Sequence, residues 1–190
     1  MELTAFGHFD RIQGENMEKL LVVVDMQNDF VDGALGTPEA QAIVAPVAEK
    51  IKAHEGPVVF TRDTHRPNYL QTQEGRKLPV EHCIKGTDGW RLTPEIHMLV
   101  DDREIFDKNT FGSVELSRYV SSMFQAGEID SVELIGLCTD ICVISNAMLL
   151  KAAEPEMIVS VDGRCCAGVT PQSHKNALEA MKMCQIEVAE

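Results

Sequence analysis

Basic residues are scarce in this 190-residue chain: 17 Lys and Arg stand against 30 Asp and Glu, for a formal charge of −13. That deficit excludes a polyanion-binding surface, because phosphate recognition wants clustered cations in place of an acidic field, so no nucleic-acid partner is expected. No apolar run approaches the roughly 20 residues that a membrane-spanning helix needs. The opening MELTAFGHFDRIQGE lacks the basic-then-apolar pattern of a secretory signal, so no membrane partner is expected either. The six cysteines (Cys83, Cys138, Cys142, Cys165, Cys166 and Cys184) are too few for a disulfide scaffold in a chain of this length, and they point to a reducing, cytoplasmic setting. Linkers, repeats and low-complexity tracts are missing too. One domain over 19–190 is expected, preceded by a polar extension, 1–18, without periodicity. Apolar residues make up 44%, enough for a sizeable core.

What is present is an alternation. Residues 20–24 form a short, valine-rich apolar run suited to a strand buried on both faces. Thr37 and Pro38 open a helix as N-cap and first helical residue. Ile43, Val47 and Ile51, flanked by Val44 and Ala48, give that helix one apolar face. Gly56-Pro57 ends it before the strand PVVFTR. Further strands are predicted at 104–108, 131–136, 157–162 and 186–189. Helices are predicted at 113–124, at 141–153 and beyond Thr170-Pro171, where Ala177, Leu178 and Met181 turn inward. This order predicts an α/β fold, a three-layer doubly wound sandwich with a mainly parallel central sheet of about six strands. Residues 64–102 break the rhythm, and a long irregular insertion inside a compact domain is usually functional.

In such a sheet, ligands sit outside the carboxyl ends of the strands. Those ends display Asp25, Asp63, Lys108 and the run Cys138-Thr139-Asp140-Ile141-Cys142. Singly, each has a bland reading as a turn residue, a solvated cation or a core filler. Together they place a carboxylate, a candidate metal ligand, an amine and a thiol on one edge. Cys142 falls in the first turn of a helix that Thr139 or Asp140 would cap, where free N–H groups and the helix dipole lower a thiol's pKa. A neighbouring lysine lowers it further, and a carboxylate can accept the proton. Nucleophile, base and cation are the minimum kit for acyl transfer at an amide or ester. Asp63 and His65, two apart on an extended strand end, can point the same way, and His82 arrives from the insertion. That pattern is either a three-ligand metal site with positions open for water or substrate, or a pair of surface histidines.

These segments resemble the isochorismatase-like cysteine hydrolases. VVVDMQNDFVDGAL is similar to the family's first motif, FDKNTFG to its lysine motif and GLCTDICVISNAMLLKA to its nucleophile motif; VDGRCCAGVTPQSHKNAL also fits, and the likeness spans 19–189. The resemblance implies a catalytic triad of Asp25, Lys108 and Cys142, a cis peptide between Leu137 and Cys138, and an oxyanion hole built from the backbone N–H groups of Cys138 and Cys142. The run RDTHRPNYLQTQEGRKLPVEHCIKGTDG resembles the metal region of the nicotinamidase branch. It implies one divalent metal ion on Asp63, His65 and His82, zinc foremost with iron or manganese as alternatives, and it puts Glu74 where some members carry an acidic fourth ligand.

Many members of that branch place Trp-Pro-Pro before the second metal histidine. Here Leu78-Pro79-Val80-Glu81 precedes His82, so Phe30 and Phe111, with Leu78 as an apolar wall, are the expected substrate contacts. The implied activity is a metal-dependent amidohydrolase that converts nicotinamide to nicotinate and ammonia through a Cys142 thioester. Such an enzyme would serve pyridine nucleotide salvage as a cytoplasmic homo-oligomer. Alternatives are a hydrolase of another small amide, a metal-free hydrolase of an enol ether, a non-catalytic binding module and a thiol redox protein. The intact triad argues against the binding module, and the Cys138/Cys142 spacing against the redox protein. Cys83 is expected not to coordinate, Cys165 and Cys166 to be packed thiols, His54 to suit a helix end, and His8 and His174 to be solvated.

Overall fold

The computed structural model describes residues 18–190. Residues 1–17 of the expected extension, His8 among them, lie outside the described residues. Strand β1 (Glu18–Val24) sets the layering, because its side chains alternate between two cores. Leu20, Val22 and Val24 pack with Leu116, Val143, Leu150 and Met181 on one face, whereas Leu21 and Val23 pack with Ile43, Val47, Ile51 and Ile96 on the other. After β1 come α1 (Asn28–Val31), α2 (Pro38–Ala42), α3 (Val44–Ala53), β2 (Val58–Asp63), α4 (Gln73–Lys77), α5 (Pro94–His97) and β3 (Ile105–Lys108). Then follow α6 (Val114–Ala126), β4 (Ile129–Leu137), α7 (Ile144–Ala153), β5 (Ile158–Ala167), α8 (Pro171–Met183) and β6 (Glu187–Ala189). A 3₁₀ turn covers Tyr69–Gln71, and a π-helical turn at Thr139–Val143 leads into α7. The six strands are all parallel, in the order β3-β2-β1-β4-β5-β6. The expected three-layer α/β sandwich is the fold found. No helix among the described residues is long and apolar enough to cross a membrane.

Three details depart from the expected elements. The helix opened by Thr37 and Pro38 is two helices, broken at Ile43. Pro46 has no N–H for the Ala42 carbonyl and its ring crowds that carbonyl, so the regular ladder cannot run through. Strand β5 continues past Asp162 to Ala167, with an irregular register against β4 between Leu134 and Gly136. The insertion, finally, is not shapeless: it holds α4 and α5, and isolated bridges tie Gln27 to Leu92 and His65 to Ile84.

The strand order reverses between β1 and β4, which is where a crevice opens at the carboxyl ends. Gly136 lets the two strands close on each other there. Its φ is +111°, and a Cβ would collide with the Val24 carbonyl oxygen, so only glycine fits.

Beneath one face, Lys50 of α3 reaches Glu133 Oε2 at 2.8 Å and Asp162 Oδ2 at 2.9 Å, while Arg164 donates to both Asp162 oxygens at 2.9 and 2.8 Å. Burial alone would raise Asp162, but the hydrogen bonds from Arg164 and Lys50 outweigh it and hold the carboxyl at about 2. A carboxyl depressed by folding stabilises the native state above its unfolded pKa of about 4 and loses that contribution as pH falls toward 2. Asp162→Asn is therefore expected to lower the melting temperature at pH 7 and to flatten its fall between about pH 4 and pH 2, as calorimetry across that range would read.

Candidate active site

Parallel pairing brings the chemistry together. Asp63 and Lys108 are register partners at the ends of β2 and β3, and Asp25 follows β1 with its N–H donating to the Thr61 carbonyl at 3.2 Å. Asp25 has φ +47°, in the left-handed region that residues other than glycine seldom occupy. Lys108 Nζ lies 2.6 Å from Asp25 Oδ2, 3.3 Å from Cys142 Sγ and 3.7 Å from Asp63 Oδ1. All four residues are buried. Burial raises the Asp25 carboxyl against the pull of Lys108, and Asp63 adds to the rise. Burial would lower Lys108, yet Asp25, Cys142 and Asp63 carry it up, so it stays an ammonium.

Cys142 differs from expectation. Burial pushes its thiol well up, Lys108 opposes, and the carboxylates of Asp25 and Asp63 add to the rise. Nor does Thr139 or Asp140 cap the helix. Cys138 stands at the cap position without a side-chain bond, Thr139 Oγ1 pairs with His174 Nδ1 at 2.8 Å, and the Asp140 carboxylate accepts the Val169 N–H at 3.1 Å. Desolvation outweighs the helix start, and the resting group is a thiol. The Leu137–Cys138 peptide is cis.

Beside this trio, Asp63, His65, Glu74 and His82 each bring one ligand atom within 4.8 Å of the others. Local structure explains the convergence. His65 N–H donates to the Cys83 carbonyl and Lys85 N–H to the His65 carbonyl, both at 2.9 Å, which draws His82 alongside. The Thr72 hydroxyl caps α4 by accepting the Gly75 N–H, and Glu74 projects from that first turn. The buried Tyr69 ring packs 4.6 Å from His65 and 4.9 Å from His82, centroid to centroid. His82 Nδ1–H donates to the Val80 carbonyl at 2.8 Å, which leaves Nε2 as the free lone pair.

The donors suit a divalent cation on two counts. His65 Nε2 is buried without a hydrogen-bond partner, although Asp63 Oδ2 is 3.0 Å away. Burial alone would lower His82, yet Asp63 carries it up, the mark of a site that favours positive charge. Two imidazoles and two carboxylates are a borderline-soft, mixed N/O set.

Both clusters open into one cleft of about 1180 Å³, walled by Phe30, Leu78, Phe111 and Ile141. The isochorismatase domain family matches residues 19–190. The chain belongs to that family. Among its relatives, the nicotinamidase/pyrazinamidase of Mycobacterium tuberculosis is 26% identical over 186 residues, covering 90% of this chain and 97% of that one. An isochorismatase family protein of Bacillus subtilis is 32% identical over 176 residues, covering 85% and 93%. The crystal structure of the pyrazinamidase of Pyrococcus horikoshii in complex with zinc superposes with a TM-score of 0.74 at 28% identity, covering 91% of this chain and 99% of that one.

The chain brings its candidate site residues together: Asp25, Lys108 and Cys142 on one side, Asp63, His65, Glu74 and His82 on the other, with Phe30, Leu78, Phe111 and Cys138 lining the shared cleft. Four supporting residues escaped the sequence reading. Gln27 grips the Asp63 backbone, accepting its N–H at 2.7 Å and donating to its carbonyl at 2.9 Å. Asn146 accepts the Ser113 N–H and donates to the Cys142 carbonyl, both at 2.8 Å. His174, expected in solvent, is half-buried against Thr139. Thr61 Oγ1 donates to Asp25 Oδ1 at 2.7 Å. Only Gln27 carried a signal, its place two residues after Asp25 in the first motif. Thr61→Val would leave a buried carboxylate oxygen without its donor; a loss of about 1–3 kcal/mol is expected in urea unfolding.

Proposed function

We propose that the protein is a metal-dependent nicotinamidase, hydrolysing nicotinamide to nicotinate and ammonia. One observation carries the reading: a single buried ammonium, Lys108 Nζ, stands 2.6 Å from Asp25 and 3.3 Å from Cys142, and 3.7 Å from the carboxylate that heads the four-residue cation cluster. The activity for which the nicotinamidase and pyrazinamidase relatives are named supports it, as does the zinc in the Pyrococcus structure.

In this reading Asp25 takes the thiol proton of Cys142, and its burial-raised carboxyl makes it a better base than an exposed one. Lys108 keeps its charge and compensates the thiolate. The sulfur attacks the amide carbon, and the developing oxyanion meets the N–H groups of Cys138 and Cys142, where loss of one donor costs about 10²–10³ in rate. Asp25 returns the proton to the leaving nitrogen, ammonia departs, and a thioester remains on Cys142. Water deprotonated by Asp25 then hydrolyses the thioester to the acid and restores the thiol. Phe30 and Phe111 flank the ring while Leu78 walls it. Asp63, His65, Glu74 and His82 would hold one divalent cation, zinc foremost; when bound it supplies a Lewis acid for the pyridine nitrogen.

A second reading, another small amide, is favoured by the width of the cleft and by Leu78. Trp90 does not stand in as an aromatic wall, because its ring lies under the Arg62 guanidinium at 3.9 Å and its Nε1–H donates to Thr64 Oγ1 at 2.8 Å.

Ammonia release from nicotinamide by the purified protein tests the proposal. Activity is expected to vanish on chelation and to return with zinc or manganese. Silence with metal bound would move the assignment to the second reading. Cys142→Ala is expected to abolish turnover with fold and metal content intact, and near-native activity in that variant would remove the covalent mechanism. His82→Ala is expected to lose metal and substrate affinity together, read by elemental analysis and KM.

A further inference from the structure

The turn that carries Cys142 is tied at two adjacent residues, once to α8 (Pro171–Met183) and once to the loop that leads into it, and the mechanism above uses neither tie. Thr139 Oγ1 lies 2.8 Å from His174 Nδ1, and the Asp140 carboxylate accepts the Val169 N–H at 3.1 and 3.3 Å. Thr139 is fully buried, directly after Cys138 and one turn ahead of Cys142. On the other side, the position of His174 is closely fixed. Thr170 and Ser173 form a reciprocal capping box at the start of α8, with Ser173 N–H donating to Thr170 Oγ1 and Thr170 N–H to Ser173 Oγ, both at 3.0 Å. Gly168 lies so close that a Cβ there would come within 2.8 Å of the His174 backbone nitrogen.

The turn needs such support. It is π-helical, with the Cys138 carbonyl accepting from both Ile141 and Val143 N–H at 3.1 Å, and its cap residue has no side-chain bond. Wide turns of this kind are uncommon and occur at functional sites, where something else must define them. Displacing a reacting atom by about an ångström can cost about 10²-fold in rate, far more than the same bond is worth to stability.

We propose that His174 is a positioning residue: through the Thr139 hydroxyl it fixes the turn 138–142, so that Cys142 Sγ and the N–H groups of Cys138 and Cys142 converge on one carbonyl group. The inference rests on the acyl-transfer reading of the site. Its chemistry does not depend on which of the two partners donates, since an asparagine at 174 could offer either a donor or an acceptor near the place of Nδ1.

The test compares His174→Leu, His174→Asn and Thr139→Val, each assayed for ammonia release, for carboxamidomethylation of Cys142 by iodoacetamide mapped by mass spectrometry, and for melting temperature. His174→Leu is expected to lower kcat and the Cys142 alkylation rate by about tenfold, with KM within about twofold. His174→Asn should recover to within about threefold of native. Thr139→Val should match His174→Leu, and the double variant should fall no further, because both remove the same bond. Unchanged kcat and alkylation in His174→Leu would overturn the proposal, as would an asparagine variant as slow as the leucine one, or a loss confined to KM. If the native protein releases no ammonia from nicotinamide, that reading fails by itself, and the alkylation rates still decide the role of His174. If the leucine variant does not fold, the Thr139→Val and His174→Asn comparison decides in its place.

Discussion

The site is organised around one buried positive charge. Lys108 Nζ is shared by Asp25 at 2.6 Å, Cys142 at 3.3 Å and Asp63 at 3.7 Å, so it is the group through which the trio and the cation cluster feel each other. Without it, two carboxylates would face one another out of water, and stranding one partner of a buried ion pair typically costs about 3–5 kcal/mol. The sheet supplies the ammonium with little chain: β3 is four residues long, and its last residue is Lys108, in register with Asp63. This short edge strand is held by Phe106, whose ring packs 5.3 Å from Tyr119, and by Asp107, which pairs with Arg62 at 2.8 Å.

Asp63 is the second shared element. Its Oδ1 faces Lys108 and accepts the Thr64 N–H at 3.1 Å, while its Oδ2 faces His65 at 3.0 Å and His82 at 3.6 Å. Burial would raise this carboxyl, but the adjacent His65 and His82 rings and the charge of Lys108 hold it well below the usual carboxylate range. Gln27 spends both ends of its amide on the Asp63 backbone and leaves the carboxylate oxygens to cations. A cation held in the cluster would draw on the same carboxylate as the ammonium, and its occupancy would then be felt at Cys142.

How much of this was legible follows from where each signal lives. Strands buried on both faces leave apolar runs, and the residue that ends each run is written beside it, so Asp25, Asp63 and Lys108 could be placed on one edge from the sequence. His65, Glu74 and His82 are recognisable ligand types, but their meeting depends on the pairing of His65 with Cys83–Lys85, a tertiary contact with no local pattern. Thr61, Asn146 and His174 bond to other residues' groups, and nothing in residue type announces that. The Cys142 thiol is shifted upward, where its position at a helix start predicts a fall, for the same reason. Position at a helix start is local, whereas burial is a property of the whole fold, and burial is the larger effect here.

The turn 138–142 draws support from several separate elements. Asn146 of α7 holds the Cys142 carbonyl, the Asp140 carboxylate takes the Val169 N–H, His174 of α8 meets Thr139, and Lys108 of β3 reaches the sulfur. A site so braced is defined by packing between layers, and its precision therefore depends on the close packing of the whole sandwich. The mouth is built differently. Phe111 and Leu78 are 46% and 39% exposed and come from loops. Both side chains stand partly in solvent, whereas Asp25, Lys108 and Cys142 on the floor are buried. A buried, over-determined floor thus lies beneath a lightly constrained rim, so the geometry around Cys142 is set by the sandwich and the shape of the mouth by its loops.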